Sequence, residues 1–257
     1  MPAESEPAGH GVYVAWGPAG AARLAPRVVC LVVVDVLSFT TAVTVAVAAG
    51  TRAYPYRWRD AGAAEFAERV GARLAVGRSA LGPGTPWSLS PASLRRAPFT
   101  PRLVLPSPNG STVAAAAAAG TLVVASCLRN ASAVGRRLTA EGLGTPERPV
   151  AVIAAGERAA DGTLRLAEED LLGAGATVAA LEAVRPAPSA VRARDAFLRT
   201  PDVRAAVADC PSAHELYGYG FREDVEIATE ADTAPVVPVL VDGAFTDEAP
   251  VPRVSAP

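Results

Sequence analysis

Residues 28–50 read VVCLVVVDVLSFTTAVTVAVAAG, and this stretch decides the fold. The run 28–34 is apolar and mostly β-branched, without the polar alternation of a half-solvated strand. It reads as a strand buried on both faces, as in a parallel sheet. The strand ends at Asp35. Ser38, Thr40 and Thr41 then offer caps for a helix of small and branched residues that stops near Gly50. Asp35, Ser38, Thr40, Thr41 and Thr44 break up the apolar run, so it is a strand plus a helix and not a membrane span.

Working outward, 103–126 (LVLPSPNGSTVAAAAAAGTLVVAS) repeats the same plan of strand, polar loop, small-residue helix and strand. Aligning Gly120-Thr121 with Gly50-Thr51 places Ser111 on Thr41. Units near 28–56 and 103–126 are therefore either a duplication or two ordinary βαβ units. Further strands are expected at 51–56 and 150–156. Helices are expected over 60–71, from Asn130 to Leu138 with Asn130 as a good N-cap, after Glu168, and across 189–209 with a break at Pro201. The Gly-, Pro- and Ser-rich stretch 77–101 carries Trp87 and Leu89 and reads as an ordered loop over a site. DVEIATEADTAPVVPVLVDGAF reads as two short strands joined by a polar loop, and the residues from about Asp247 as a frayed tail. The sum is one α/β domain over 1–257, a three-layer α/β/α architecture with a mostly parallel sheet.

Composition narrows the function. The chain has 257 residues, half of them hydrophobic, and a net charge of −2, so nothing draws it generally to nucleic acid or to an anionic membrane. Every basic side chain apart from the two histidines is Arg, which removes Schiff-base chemistry through lysine and leaves anion binding to guanidinium and backbone N–H groups. Cys30, Cys127 and Cys210 are odd in number and far apart, so a disulfide framework or structural zinc is not expected. The opening MPAESEPAGHG lacks a basic segment and does not read as a signal peptide, and a cytoplasmic setting is expected. A homodimer stays open.

In doubly wound sheets, ligands bind beyond the carboxyl ends of the strands. Asp35, directly after its strand, is a candidate metal ligand or acid–base, or a simple cap. Ser38, Thr40 and Thr41 with their helix N-terminus can hold an anion. In 107–112 (SPNGST) the Asn109-Gly110 pair tolerates positive φ, so the chain can turn and aim N–H groups, with Ser111, at one point; an ordinary turn is the alternative. Arg129 can pair with phosphate, while Asn130 caps the next helix or joins the ligand. Cys127 reads as a buried strand-end thiol more readily than as a nucleophile. Glu157, Glu169 and Asp170 complete an acidic set with Asp35 of the kind Mg²⁺ prefers. Catalysis is expected from Asp35, Glu157 and Asp170, and metal binding from Asp35, Glu157, Glu169 and Asp170. Neither histidine has a convincing triad context.

Taken in order, VVVDVLSFTTAV, LPSPNGST, SCLRNASAV and AAGE…EEDLLGAGA resemble the signature segments of the 2-phosphosulfolactate phosphatase family over roughly 28–182, with an echo in REDVEIA at 222–228. The resemblance implies a three-layer α/β/α fold, Mg²⁺-dependent hydrolysis of a small phosphorylated organic acid, and site segments at Asp35, Asn109, Gly110, Asn130, Glu157, Glu169 and Asp170. The departures are informative. The family's D-V-L-R-A-T is here Asp35-Val36-Leu37-Ser38-Phe39-Thr40, so Ser38 replaces an arginine. G-N-S-P becomes Ser88-Leu89-Ser90-Pro91, and T-T-N-G-T becomes Ser107-Pro108-Asn109-Gly110-Ser111. Either another arginine (Arg78, Arg129 or Arg158) takes the lost charge, or the substrate differs. A non-catalytic binder of a small anionic metabolite is the competing reading.

Overall fold

The computed structural model describes residues 8–57, 61–116, 121–159 and 161–247. Its strands are β1 (Val12–Trp16), β2 (Cys30–Val34), β3 (Arg52–Tyr56), β4 (Arg73–Leu74), β5 (Arg102–Pro106), β6 (Leu122–Ser126), β7 (Val150–Ala154), β8 (Glu157–Arg158), β9 (Leu164–Arg165), β10 (Val239–Val241) and β11 (Ala244–Thr246). Its α-helices are α1 (Gly17–Leu24), α2 (Phe39–Ala48), α3 (Ala61–Val70), α4 (Pro91–Arg96), α5 (Gly110–Ala115), α6 (Ala131–Ala140), α7 (Glu168–Ala180), α8 (Pro188–Arg199), α9 (Val203–Ala208), α10 (Pro211–Gly218) and α11 (Arg222–Ala228).

Among the described residues, nine strands form one mixed sheet in the order β1-β7-β2-β6-β10-β11-β3-β5-β4. β1, β7, β2 and β6 are mutually parallel, as are β3, β5 and β4. The hairpin β10–β11 joins the two blocks through antiparallel pairings. β2–α2–β3 starts in the first block and ends in the second; β5–α5–β6 makes the return journey. Three successive antiparallel pairings make the second block run opposite to the first along the sheet, yet the carboxyl ends of β5 and β2 meet, where the Gly110 N–H donates to Asp35 Oδ2 (2.9 Å).

Helices cover both faces. One core layer contains Leu31 and Val33 from the first block, Leu103 and Leu105 from the second, and Phe39, Val43 and Val113 from α2 and α5. On the opposite face, β2 and β7 pack against α6, α7 and α8. Every residue of α2 from Phe39 to Val47 is buried, as befits a helix that is apolar all round. Its hydroxyls bond back to backbone carbonyls, Thr40 and Thr41 to Asp35 and Val36, and Thr44 to Thr40. A central helix thus leaves no hydroxyl stranded. Among the described residues, no helix is long and apolar enough to cross a membrane.

Several expectations are corrected. DVEIA is not a strand but lies in α11. Glu223 and Asp224 occupy its first turn, while Val225, Ile227 and Ala228 are buried, so the pattern is helical and the acids favour its N-terminus. The closing strands are β10 and β11, joined at Asp242-Gly243, both with positive φ, the conformation a two-residue hairpin turn demands. Asn130 precedes α6, but its side chain makes no cap bond. The segment 77–101 is ordered, with α4 inside it. β1, α1 and α10 had no expected element. Gly120, on which the repeat alignment was pinned, and the tail beyond 247 lie outside the described residues.

Candidate active site

Three chain segments meet at the carboxyl end of β2. The first is the β2–α2 turn. Asp35 is 6% exposed; its Oδ1 accepts from the Phe39 N–H (3.1 Å) and its Oδ2 from the Gly110 N–H (2.9 Å). The second is the β5–α5 turn. Gly110 is needed there for close approach and not for a left-handed backbone, because its φ is not positive. A Cβ at Gly110 would fall 2.3 Å from Phe39 Cδ1 and 2.8 Å from Asp35 Oδ2. The third is the β7–β8 turn. Gly156 has φ +64 there, a left-handed conformation that suits glycine, and Glu157 follows it.

These turns enclose a cavity of about 310 Å³, lined by Asp35, Ser38, Arg78, Asn109 and Glu157 together with Leu37, Arg57, Leu89, Ser107 and Pro108. The volume lies at the small end of ligand sites. Asn109 Nδ2 donates to Glu157 Oε2 (2.9 Å) and fixes the carboxylate. Burial first, and then the charges of Asp35 and Glu169, push Glu157 up to about 7. Burial likewise pushes Asp35 up to about 6, against the pull of the Phe39 and Gly110 N–H groups and with Glu169 adding to the rise. The cavity therefore carries two carboxyls that repel each other's charge.

Of the arginines that line the cavity, Arg57 and Arg78, Arg78 is the one set against Ser38. Nη2 donates to the Ser38 hydroxyl, and Nε donates to Asp224 Oδ2 (2.9 Å). Asp224 is 1% exposed and also accepts from Ser90 Oγ and the Ala92 N–H. One buried carboxylate on α11 thus ties the 77–101 loop, the start of α4 and the Arg78 guanidinium together. Of the three arginines nominated to replace the one lost at position 38, the structure places Arg78 against Ser38. Sequence reading did not nominate Asp224, although the REDVEIA echo contains it. Ser90 appeared only as a departure from the family pattern.

The other expected site residues lie elsewhere. Thr40 and Thr41 are fully buried and bonded to backbone carbonyls. Ser111 is buried, with its hydroxyl near the Leu105 carbonyl (3.5 Å). Asp170 is a brace: Oδ1 accepts from the Val36 N–H (2.7 Å) and Oδ2 from the Gly156 N–H (2.8 Å), which locks the ends of β2 and β7 together. Burial, then Asp35 and Glu169, raise its pKa well above the carboxylate range. Glu169 is 1% exposed, and its Oε2 has no hydrogen-bond partner; it does not line the cavity and acts on Asp35 and Glu157 through charge. Arg129 pairs with Glu230 and donates to the Ile227 carbonyl (3.1 Å), while Asn130 bonds Cys127, Ala125 and Val236. Burial raises all three thiols, so none is poised as a thiolate.

No curated protein sequence matches the chain. The family model for 2-phosphosulpholactate phosphatase matches residues 21–243, a span that takes in all three turns, the Arg78 loop and Asp224. With that match over most of its length, the chain belongs to the 2-phosphosulpholactate phosphatase family, a family of phosphoric monoester hydrolases.

Proposed function

We propose that this chain releases phosphate from a small phosphorylated hydroxy acid resembling 2-phosphosulfolactate, with Mg²⁺ as its metal, in the cytoplasm. The observation that carries the proposal is the convergence of Asp35, Glu157 and Arg78 on one small cavity. Among the described residues, no three acidic, histidine or cysteine side chains form a metal cage. Mg²⁺ does not require one, because it keeps several waters and takes one or two carboxylates together with substrate phosphate. Asp35 and Glu157 fit that demand, since burial first and neighbouring carboxylates second disfavour their charged forms, and a divalent cation would offset both. Asp35 and Asp170 each accept two backbone N–H bonds, but Asp35 lines the cavity and Asp170 does not, so Asp170 fits poorly. When bound, the metal would polarise the phosphoryl group and acidify a water.

The remaining work falls to the chain. Asp224 and Ser38 fix the plane of the Arg78 guanidinium, so its other N–H groups can meet a phosphoryl or carboxylate oxygen in a set orientation. Asn109 holds one oxygen of Glu157, a residue that lines the cavity. Gly110 lets the β5–α5 turn press against Asp35 and limits its movement. Free, buried cysteines and a small net charge suit a cytoplasmic protein with a small-molecule substrate. The test is phosphate release from a panel of phosphorylated hydroxy acids. Chelation should abolish it and Mg²⁺ should restore it; full release in excess chelator would remove the metal from the account, and ligand binding without release would favour a binder.

A further inference from the structure

A second cavity, of about 500 Å³, adjoins the first. Leu37, Arg78 and Glu157 line both, so the guanidinium and the carboxylate stand at the boundary between two chambers. The wall peculiar to the second chamber comes largely from α10 and the turn after it, with Leu216, Tyr219 and Phe221. Tyr219 is 76% exposed, more than any other large hydrophobic side chain among the described residues. Phe221 lies beneath Arg78, with the guanidinium carbon 5.4 Å from the ring centre. Apart from the shared Arg78, the lining has no cation, and it includes the carboxylates Glu157 and Glu215.

We propose that this chamber receives the organic part of the ester, so that the preferred substrate is a phosphorylated hydroxy acid bearing an aromatic or branched apolar group where 2-phosphosulfolactate bears its sulfonate. This deepens the phosphatase reading of the first cavity and rests on it. The chemistry of the walls disfavours the sulfonate as occupant, since Arg78 is shared with the first chamber and Arg165, beside the wall, is already paired with Glu215 (3.6 Å) and bonded to Ser212 (3.3 Å). It welcomes a ring or branched chain, which would cover Leu216, Tyr219 and Phe221. The volume agrees, because the second chamber exceeds the first. Arg78 fixes the direction: it is pinned at the boundary by Asp224 and Ser38, so an anion held on it in the first chamber has its substituent at the entrance to the second.

The test compares two phosphonates that differ only by a ring, methylphosphonate and benzylphosphonate, by titration calorimetry. Benzylphosphonate should bind at least about tenfold more tightly, the gain expected from partial burial of one ring. Ser79 lines the second chamber alone and is exposed, so Ser79→Trp should fill it without touching the catalytic cavity. The variant should erase the preference and leave methylphosphonate affinity unchanged. Tyr219→Ala, at a side chain too exposed to matter for folding, should lower the preference as well. Equal affinity for the two phosphonates, a preference surviving both variants, or no binding of either would overturn the assignment. Phosphate release measured in parallel separates the two claims. No release from any ester, with the ring preference intact, would defeat the phosphatase reading while the chamber assignment stood.

Discussion

Two strand–helix junctions at the ends of neighbouring parallel strands, β2 and β6, have opposite fates. At β2–α2, Asp35-Val36-Leu37-Ser38 opens onto the cavity. At β6–α6, Cys127-Leu128-Arg129-Asn130 is closed. Asn130 accepts from the Cys127 N–H and donates to the Ala125 and Val236 carbonyls. Arg129 is held by Glu230 and the Ile227 carbonyl. The segment between α11 and β10 bonds across the junction, Asp232 N–H to the Leu128 carbonyl and Ala234 N–H to the Arg129 carbonyl. β6 borders the C-terminal hairpin, and the chain leading into that hairpin seals its end. β2 lies between two parallel neighbours, and loops from other strands frame its end without filling it. The strand-end rule nominates both junctions; chain from the far C-terminal region decides which one stays open.

The sharpest break in this comparison is at Gly110. Alanine there would put a Cβ against the fully buried Phe39 ring and Asp35 Oδ2. Gly110→Ala should cost about 3 kcal/mol in chemical denaturation and disturb Asp35, whereas Gly84→Ala, with nothing within 4 Å, should change stability little. Equal stability of the two variants would show that the open junction is not held by this contact.

Next comes the cation. Arg78→Ala should lower kcat/KM by about ten- to a hundredfold, the worth of one charge-assisted hydrogen bond. Ser38→Arg alone should give no gain, because Arg78 already donates to that hydroxyl, but in the Arg78→Ala background it should recover part of the loss. A gain from Ser38→Arg in the intact protein would mean that Arg78 does not occupy the missing arginine's role.

The smallest expected effect is on pH-dependent stability. Burial raises Asp35 to about 6 and Glu157 to about 7. Each carboxyl holds its proton more tightly folded than unfolded, so its stabilising contribution is full below the ordinary carboxylate range and is lost as pH rises through these values. Metal-free protein should therefore lose about 1–2 kcal/mol from these groups between about pH 6 and pH 8. Glu157→Gln should flatten the upper part of the fall, and Mg²⁺ at the alkaline end should raise the melting temperature. A slope untouched by both would place the carboxyls in a different environment.

Much of the fold was legible locally. The apolar run before Asp35 and the small-residue helix after it need no distant partner to be read as β2 and α2, and Trp87 and Leu89 marked 77–101 as ordered. α11 misled because Val225 and Ile227 alternate like a strand, while its helical burial depends on what lies beneath. Of the residues named from their strand ends, Asp35, Asn109 and Glu157 line the cavity. The division of labour was not legible: Asp170 looks like a ligand in sequence and is a brace in space, because its partners, Val36 and Gly156, are remote in the chain. Asp224 was hidden for the same reason, since its role exists only once α11 meets Arg78 and Ser90.

The central claim is that chemistry belongs to the open junction and not to the closed one. The direct measurement is Mg²⁺-supported phosphate release by Asp35→Asn and Arg129→Ala beside the unmodified chain, each checked for folding. Asp35→Asn should lose about a thousandfold or more in kcat, the scale of several kcal/mol of transition-state stabilisation, while Arg129→Ala loses stability but keeps kcat within about twofold. Full turnover by Asp35→Asn, or a collapse of kcat confined to a folded Arg129→Ala, would contradict the account.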